Sequence, residues 1–232
     1  MAHIDYHVVL ETLREHRDCC PLCAFVARSE NSWFESMLYS WVGTEGFQDR
    51  FLSSDGFCPA HAHRFAERND GVAVAMLYLP LLNHRRRWLT RSMASFPLLR
   101  RLRPLLKGRD RSPAGRGERA LSGSCLLCDQ IAHWETQFLR NMVRHGGEEA
   151  LRDSFTAGQG LCLPHYRLLA GKIGRVPPWV REHQENRISS LEEAVELYTR
   201  GAAGGVGGRA STVWKELLEF MEGPAGAIRK RG

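Results

Sequence analysis

The sequence predicts an all-α protein of two tandem pseudo-repeats, each a metal-stapled helical hairpin, followed by a C-terminal helix. Three observations predict it. Apolar residues recur at spacings of three, four and seven, as on one face of a helix, and no segment shows the alternation of a half-buried strand. A four-ligand Cys/His pattern also occurs twice: Cys20-Pro21-Leu22-Cys23 with Cys58-Pro59-Ala60-His61, then Cys125-Leu126-Leu127-Cys128 with Cys162-Leu163-Pro164-His165. The interval between the inner cysteines is 35 residues in the first copy and 34 in the second.

The elements follow in order. Between Cys23 and Gly43, Phe25, Val26, Trp33, Phe34, Met37, Leu38 and Trp41 mark a long amphipathic helix, which Gly43 stops. A short helix capped near Thr44 carries Phe47 and Phe51, and Ser53 to Gly56 reads as a turn. Cys58 and His61, three apart, share a face of the next helix if that helix starts at the cysteine. The segment from Leu77 to Met93 completes the first unit. The second copy repeats the plan: Ile131, Trp134, Phe138, Met142 and Val143 on a long helix, a stop at Gly146-Gly147, a turn at Ala157 to Gly160, and a last helix from Val180 to Tyr198. Matches outside the ligands, including Leu22 with Leu127, Met37 with Met142, Glu45 with Glu149, Asp49 with Asp153 and Gly56 with Gly160, read as an internal duplication. The domain plan is therefore a first metal-binding unit over 1–96, a basic connector over 97–123, a second unit over 124–200, and a Gly-rich linker with a C-terminal amphipathic helix and basic tail over 201–232.

Cys20, Cys23, Cys58 and His61, and again Cys125, Cys128, Cys162 and His165, are the predicted metal ligands. Three thiolates and an imidazole close a tetrahedron around zinc and leave no open position for water or substrate, so each site is expected to be structural. An iron–sulfur cluster is the alternative cofactor, since histidine can replace one thiolate. The alternative function is an iron–sulfur or thiol-based redox protein or enzyme using these sites, although a thioredoxin-like use of the Cys-x-x-Cys pairs needs a βαβ setting, which the pattern lacks. The matched spacing favours closure of each site within its own copy. Cys19, the seventh cysteine, has Ser124 at its counterpart position and is left as a bystander. Glu45/Asp49 and Glu149/Asp153 are assigned a structural role in the first turn of the short helices.

The stretch from His84 to Ala120 holds twelve Lys/Arg against Asp110 and Glu118, so most of the chain's +6 charge and more is concentrated there. That segment, Arg85 to Arg119, suggests an anionic partner, whether nucleic acid, a membrane surface or an acidic protein. The helix from Thr212 to Met221 (Val213, Trp214, Leu217, Leu218, Phe220, Met221) either docks on the body or engages a protein partner. No apolar run is long enough to span a bilayer, and Met1 to Leu10 lacks the pattern of a signal peptide. A cytoplasmic protein is expected, in which paired cysteines serve metals better than disulfides. No phosphate-cradling glycine loop, nucleophile elbow or zinc-protease motif is present, so catalysis has no assigned residues.

Cys-Pro-Leu-Cys followed by Gly56-Phe57-Cys58-x-x-His61 resembles an uncharacterised prokaryotic family of unknown function that shares Cys-Pro-x-Cys and Gly-Phe-Cys-x-x-His motifs. The second copy keeps Cys125, Cys128, Gly160, Cys162 and His165 but has Leu126 and Leu161 where the motif has proline and phenylalanine. The resemblance spans roughly residues 15 to 200. It supports the ligand assignment and implies no activity.

Overall fold

A computed structural model describes residues 5–94, 124–202 and 212–224. The protein is all-α, and among the described residues there is no strand. The helices are α1 (Tyr6–Glu15), α2 (Pro21–Ser36), α3 (Glu45–Ser53), α4 (Pro59–Ala66), α5 (Gly71–Ala94), α6 (Leu126–Arg144), α7 (Glu149–Thr156), α8 (Leu163–Leu168), α9 (Pro178–Ala202) and α10 (Val213–Glu222). π-Helical turns prolong α2 over Met37–Trp41 and α8 over Leu169–Ile173. Thr44 is the N-cap residue of α3, its hydroxyl donating to Trp41 O, and Glu45 and Glu149 sit in the first turns of α3 and α7 near free backbone N–H groups, whereas Asp49 and Asp153 lie a turn further on. Helix α1 has no counterpart in the sequence reading. Its cues were Asp5, whose side chain accepts from the Val8 N–H, and the buried Val9, Leu10 and Leu13 behind it.

The chain forms two compact units, and they are not the two sequence halves. One comprises Met1–Ser32 with Gln130–Gly232, the other Trp33–Asp129. The boundaries fall inside α2 and α6, so each long helix begins in one unit and ends in the other. The 97–123 connector, most of the linker after Ala202 and the basic tail lie outside the described residues; Gly201 and Ala202 belong to α9 rather than to a linker.

The discontinuous unit is built around Val9 and Leu13 of α1, Leu22 and Phe25 of α2, Phe138, Leu139 and Met142 of α6, Leu151 and Phe155 of α7, and Leu161, Leu169 and Val180. Phe25 and Phe138 meet with ring centroids 5.2 Å apart. Two polar pins join the loop before α8 to α9. Buried Gln184 accepts from Leu161 N–H and donates to Leu161 O, both at 2.8 Å. His183 Nε2 donates to Gly158 O at 3.0 Å. Gly160 has φ +72°, and a Cβ there would overlap Gln184 Oε1, so both backbone conformation and space require glycine.

The second unit has an aromatic core. Phe57 contacts Trp33, Phe34, Phe51 and Phe65 with centroids 5.0–6.0 Å apart, and Phe34 stacks on Phe65 at 6.0 Å. Edge-to-face contacts dominate, the arrangement ring quadrupoles prefer. Helix α5 covers this cluster with Ala73, Leu77 and Leu81, and Arg85 pairs with Asp55 at 2.9 Å. Gly56, at φ +85°, lets Leu81 pack against the backbone: a Cβ would stand 2.9 Å from Leu81 Cδ2.

Candidate metal centres

In both copies the Cys-x-x-His motif is positioned by the same local device. Cys58 and Cys162 are the N-caps of α4 and α8, each in an extended conformation, with Pro59 or Pro164 in the first helical turn. Proline fits there because no helical hydrogen bond is lost. The cysteine and the histidine three residues later then face one point. The Cys-x-x-Cys pairs straddle the starts of α2 and α6.

The motifs combine across the sequence, not within each copy. Cys20 and Cys23 group with Cys162 and His165; Cys58 and His61 group with Cys125 and Cys128. This corrects the expected closure within each half. The reason is the length and stiffness of α2. Sixteen helical residues carry the chain about 24 Å at 1.5 Å per residue. The nine-residue α3 returns it by only about 14 Å. Phe57 therefore packs at Trp33 and Phe34, residues far along α2 from its Cys-x-x-Cys start, and Cys58 follows it directly. The same holds in the second copy, where Leu161 joins the cluster of Phe138 and Leu139.

All eight predicted ligands fall in one or the other of these groups. In the first centre, His165 Nδ1 lies 3.3 Å from Cys20 Sγ, 3.4 Å from Cys23 Sγ and 3.3 Å from Cys162 Sγ, and Cys23 Sγ lies 3.7 Å from Cys162 Sγ. In the second, His61 Nδ1 lies 3.2 Å from Cys58 Sγ, 3.5 Å from Cys125 Sγ and 3.4 Å from Cys128 Sγ, and Cys58 Sγ lies 3.7 Å from Cys128 Sγ. A tetrahedron with metal–sulfur bonds near 2.3 Å and metal–nitrogen bonds near 2.0 Å has edges of about 3.8 Å between sulfurs and about 3.5 Å between sulfur and nitrogen. The donor sets fit a single ion. No disulfide forms among the seven cysteines.

The electrostatics reflect how closely the donors crowd. Hydrogen bonds from Cys20 and Cys23 hold the Cys162 thiol well below its ordinary pKa, while Cys23, bonded to Cys162 and Cys20, is pushed far up. Cys125 is held at about 3, chiefly by Cys128, with His61 and the backbone N–H groups of Cys58 and Cys128 adding to the effect against burial; Cys128 is raised in turn. Burial would lower His165, but bonds to Cys162, Cys20 and Glu135 raise it well above an ordinary histidine. Three sulfurs and an imidazole this close need positive charge among them, either shared protons or a cation.

The sequence reading missed Glu135. Its Oε1 lies 3.0 Å from His165 Nε2, so Nδ1 is left to face the sulfurs. A carboxylate on the far nitrogen fixes the ring and makes the ligand more basic. The cue was duplication: Glu135 stands ten residues after Cys125, and Glu30 stands ten after Cys20 and is 2% exposed. Cys19 joins neither group; burial, then Asp18, raises its thiol to about 11. Helix α10 packs on α8 and α9, with Arg187 reaching Glu216 at 3.4 Å, and its Glu219 and Phe220 close a small cavity beside Cys20 and Cys162.

A family model matches residues 3–190, over the motifs and both donor sets. The chain belongs to DUF6062, a family of unknown function. Neither a curated protein nor a solved structure matches it significantly. The match to DUF6062 ends within α9, before α10.

Proposed function

We propose that the protein is a non-enzymatic scaffold in which two structural zinc ions, one held by Cys20, Cys23, Cys162 and His165 and one by Cys58, His61, Cys125 and Cys128, fix a surface that meets an anionic partner. The observation that carries this reading is the donor geometry: four ligand atoms within 4.8 Å of one another in each group, suited to one tetrahedral ion with no position left for substrate. An iron–sulfur cubane, the alternative, spreads its ligands over several metal atoms and needs a wider set. Zinc in such sites is worth on the order of 10 kcal/mol, realised as folding energy. A reducing, cytoplasmic setting suits seven cysteines that form no disulfide. The duplication reading is supported by the recurring order of long helix, short helix, Cys-capped helix and long helix.

For the partner, the acid-poor stretch Arg85 to Arg119 is the candidate, with nucleic acid or an acidic protein as ligand. The half-exposed Trp214, Leu218 and Met221 on α10 offer a separate face to a protein. Anaerobic purification with elemental analysis tests the metal: a colourless protein with two zincs per chain supports the reading, and a brown one absorbing near ~400 nm overturns it. Nucleic-acid affinity that falls steeply with salt, and less steeply after removal of arginines between Arg85 and Arg119, tests the partner.

A further inference from the structure

One surface of the second unit is out of keeping with a solvated helix. The inner face of α5 is buried through Ala73, Leu77 and Leu81. Its outer face carries Val72, Met76, Leu79 and Leu82, which are 71%, 38%, 58% and 64% exposed. Ala75, Pro80 and Asn83 fill the rest, so over three turns this exposed face holds no charged residue. Exposed helix faces are ordinarily polar, and a contiguous aliphatic stripe marks a surface that meets something apolar. The charge pattern continues from it: residues 71–109 contain nine Lys/Arg and no Asp or Glu.

We propose that the outer face of α5 docks on an anionic lipid surface, with Val72, Met76, Leu79 and Leu82 entering below the headgroups and the acid-free, basic C-terminal half of the helix drawn to acidic lipid. An interfacial helix needs both parts, apolar insertion and attraction to acidic lipid. Nucleic acid satisfies the cations alone, because its apolar contacts are base faces that stack on aromatic rings, not on aliphatic side chains. A second copy of the chain would cover the stripe but bring two acid-free basic stretches together. The proposal rests on the anionic-partner reading above and puts a lipid surface in place of nucleic acid or an acidic protein.

The test is co-sedimentation of the full-length, metal-loaded protein with vesicles of phosphatidylcholine alone or enriched in phosphatidylserine, beside a titration with homopolymeric RNA. Binding to the phosphatidylserine vesicles only is expected, weakened about tenfold or more by each of Val72→Ser and Leu79→Ser. Both residues are more than half exposed, so the variants should keep their metal; if either does not, Leu82→Ser carries the same prediction. Unchanged vesicle binding by the variants overturns the role of α5. No vesicle binding overturns the lipid proposal; salt-sensitive RNA binding in that case leaves the anionic-partner reading standing, and none removes both.

Discussion

Pairs of ligand substitutions separate the crossed arrangement of the centres from closure within each half. Cys20→Ser with Cys162→Ser takes both losses from one spatial group and leaves Cys58, His61, Cys125 and Cys128 whole. Cys20→Ser with Cys58→Ser, ligands from the same sequence copy, damages both groups. Four ligands share an apparent binding energy of about 10–16 kcal/mol, so each thiolate is worth about 3 kcal/mol, or about a hundredfold in affinity. Two losses in one group should therefore lower its affinity by about ten-thousandfold and leave the other group's unchanged. Dialysis against a competing chelator followed by elemental analysis reads this directly. The expected result is one tightly held ion per chain for the first pair and none for the second. The reverse pattern would refute the crossed assignment and restore closure within each half. The first pair should also disturb Trp179, which lies in the damaged unit and donates to Gly146 O, before Trp33 and Trp41 of the aromatic core.

Three further predictions follow from single contacts. Glu135→Gln leaves a hydrogen-bonding group beside His165 but removes the charge; metal affinity of that centre should fall about tenfold or more while the other holds, and equal loss at both would be inconsistent with the contact seen. Gly160→Ala should destabilise the discontinuous unit by about 1–3 kcal/mol in denaturant titration, because the site has positive φ and Gln184 fills the space of a Cβ, whereas Gly171→Ala, with nothing within 4 Å, should show no such clash. Burial lowers the pKa of His183, so the unfolded chain takes up its proton first; stability from this residue is present above pH 6.5 and lost as pH falls from there through the lowered folded value. His183→Gln should flatten that part of the pH–stability curve.

Much of the fold was legible because its cues are local. Gly43, Gly146 and Gly147 end long helices, Thr44 is the N-cap residue of α3, and the Cys58 and Cys162 motifs start helices where a cysteine precedes an early proline. The C-terminal helix was read as Thr212 to Met221 and observed as Val213–Glu222 with Thr212 at its cap. The last helices of the two copies were read short, since Gly71 and Pro178 look like breaks but here sit at helix starts, and Pro80 lies within α5. Glu135 escaped notice because a carboxylate on an exposed-looking helix position has no meaning until the imidazole it faces is placed.

By itself the sequence determined that the protein is helical and which eight side chains can ligate, because turn chemistry, apolar period and ligand type are properties of a few adjacent residues. Only the tertiary structure decided which four ligands share a centre. That choice depends on how far a rigid helix carries the chain before it returns, and on the packing of Phe57 against Trp33 and of Leu161 with Phe138. Near-identical spacings in the two copies point to closure within each copy but also allow the crossed pairing; helix length and core contacts select the latter.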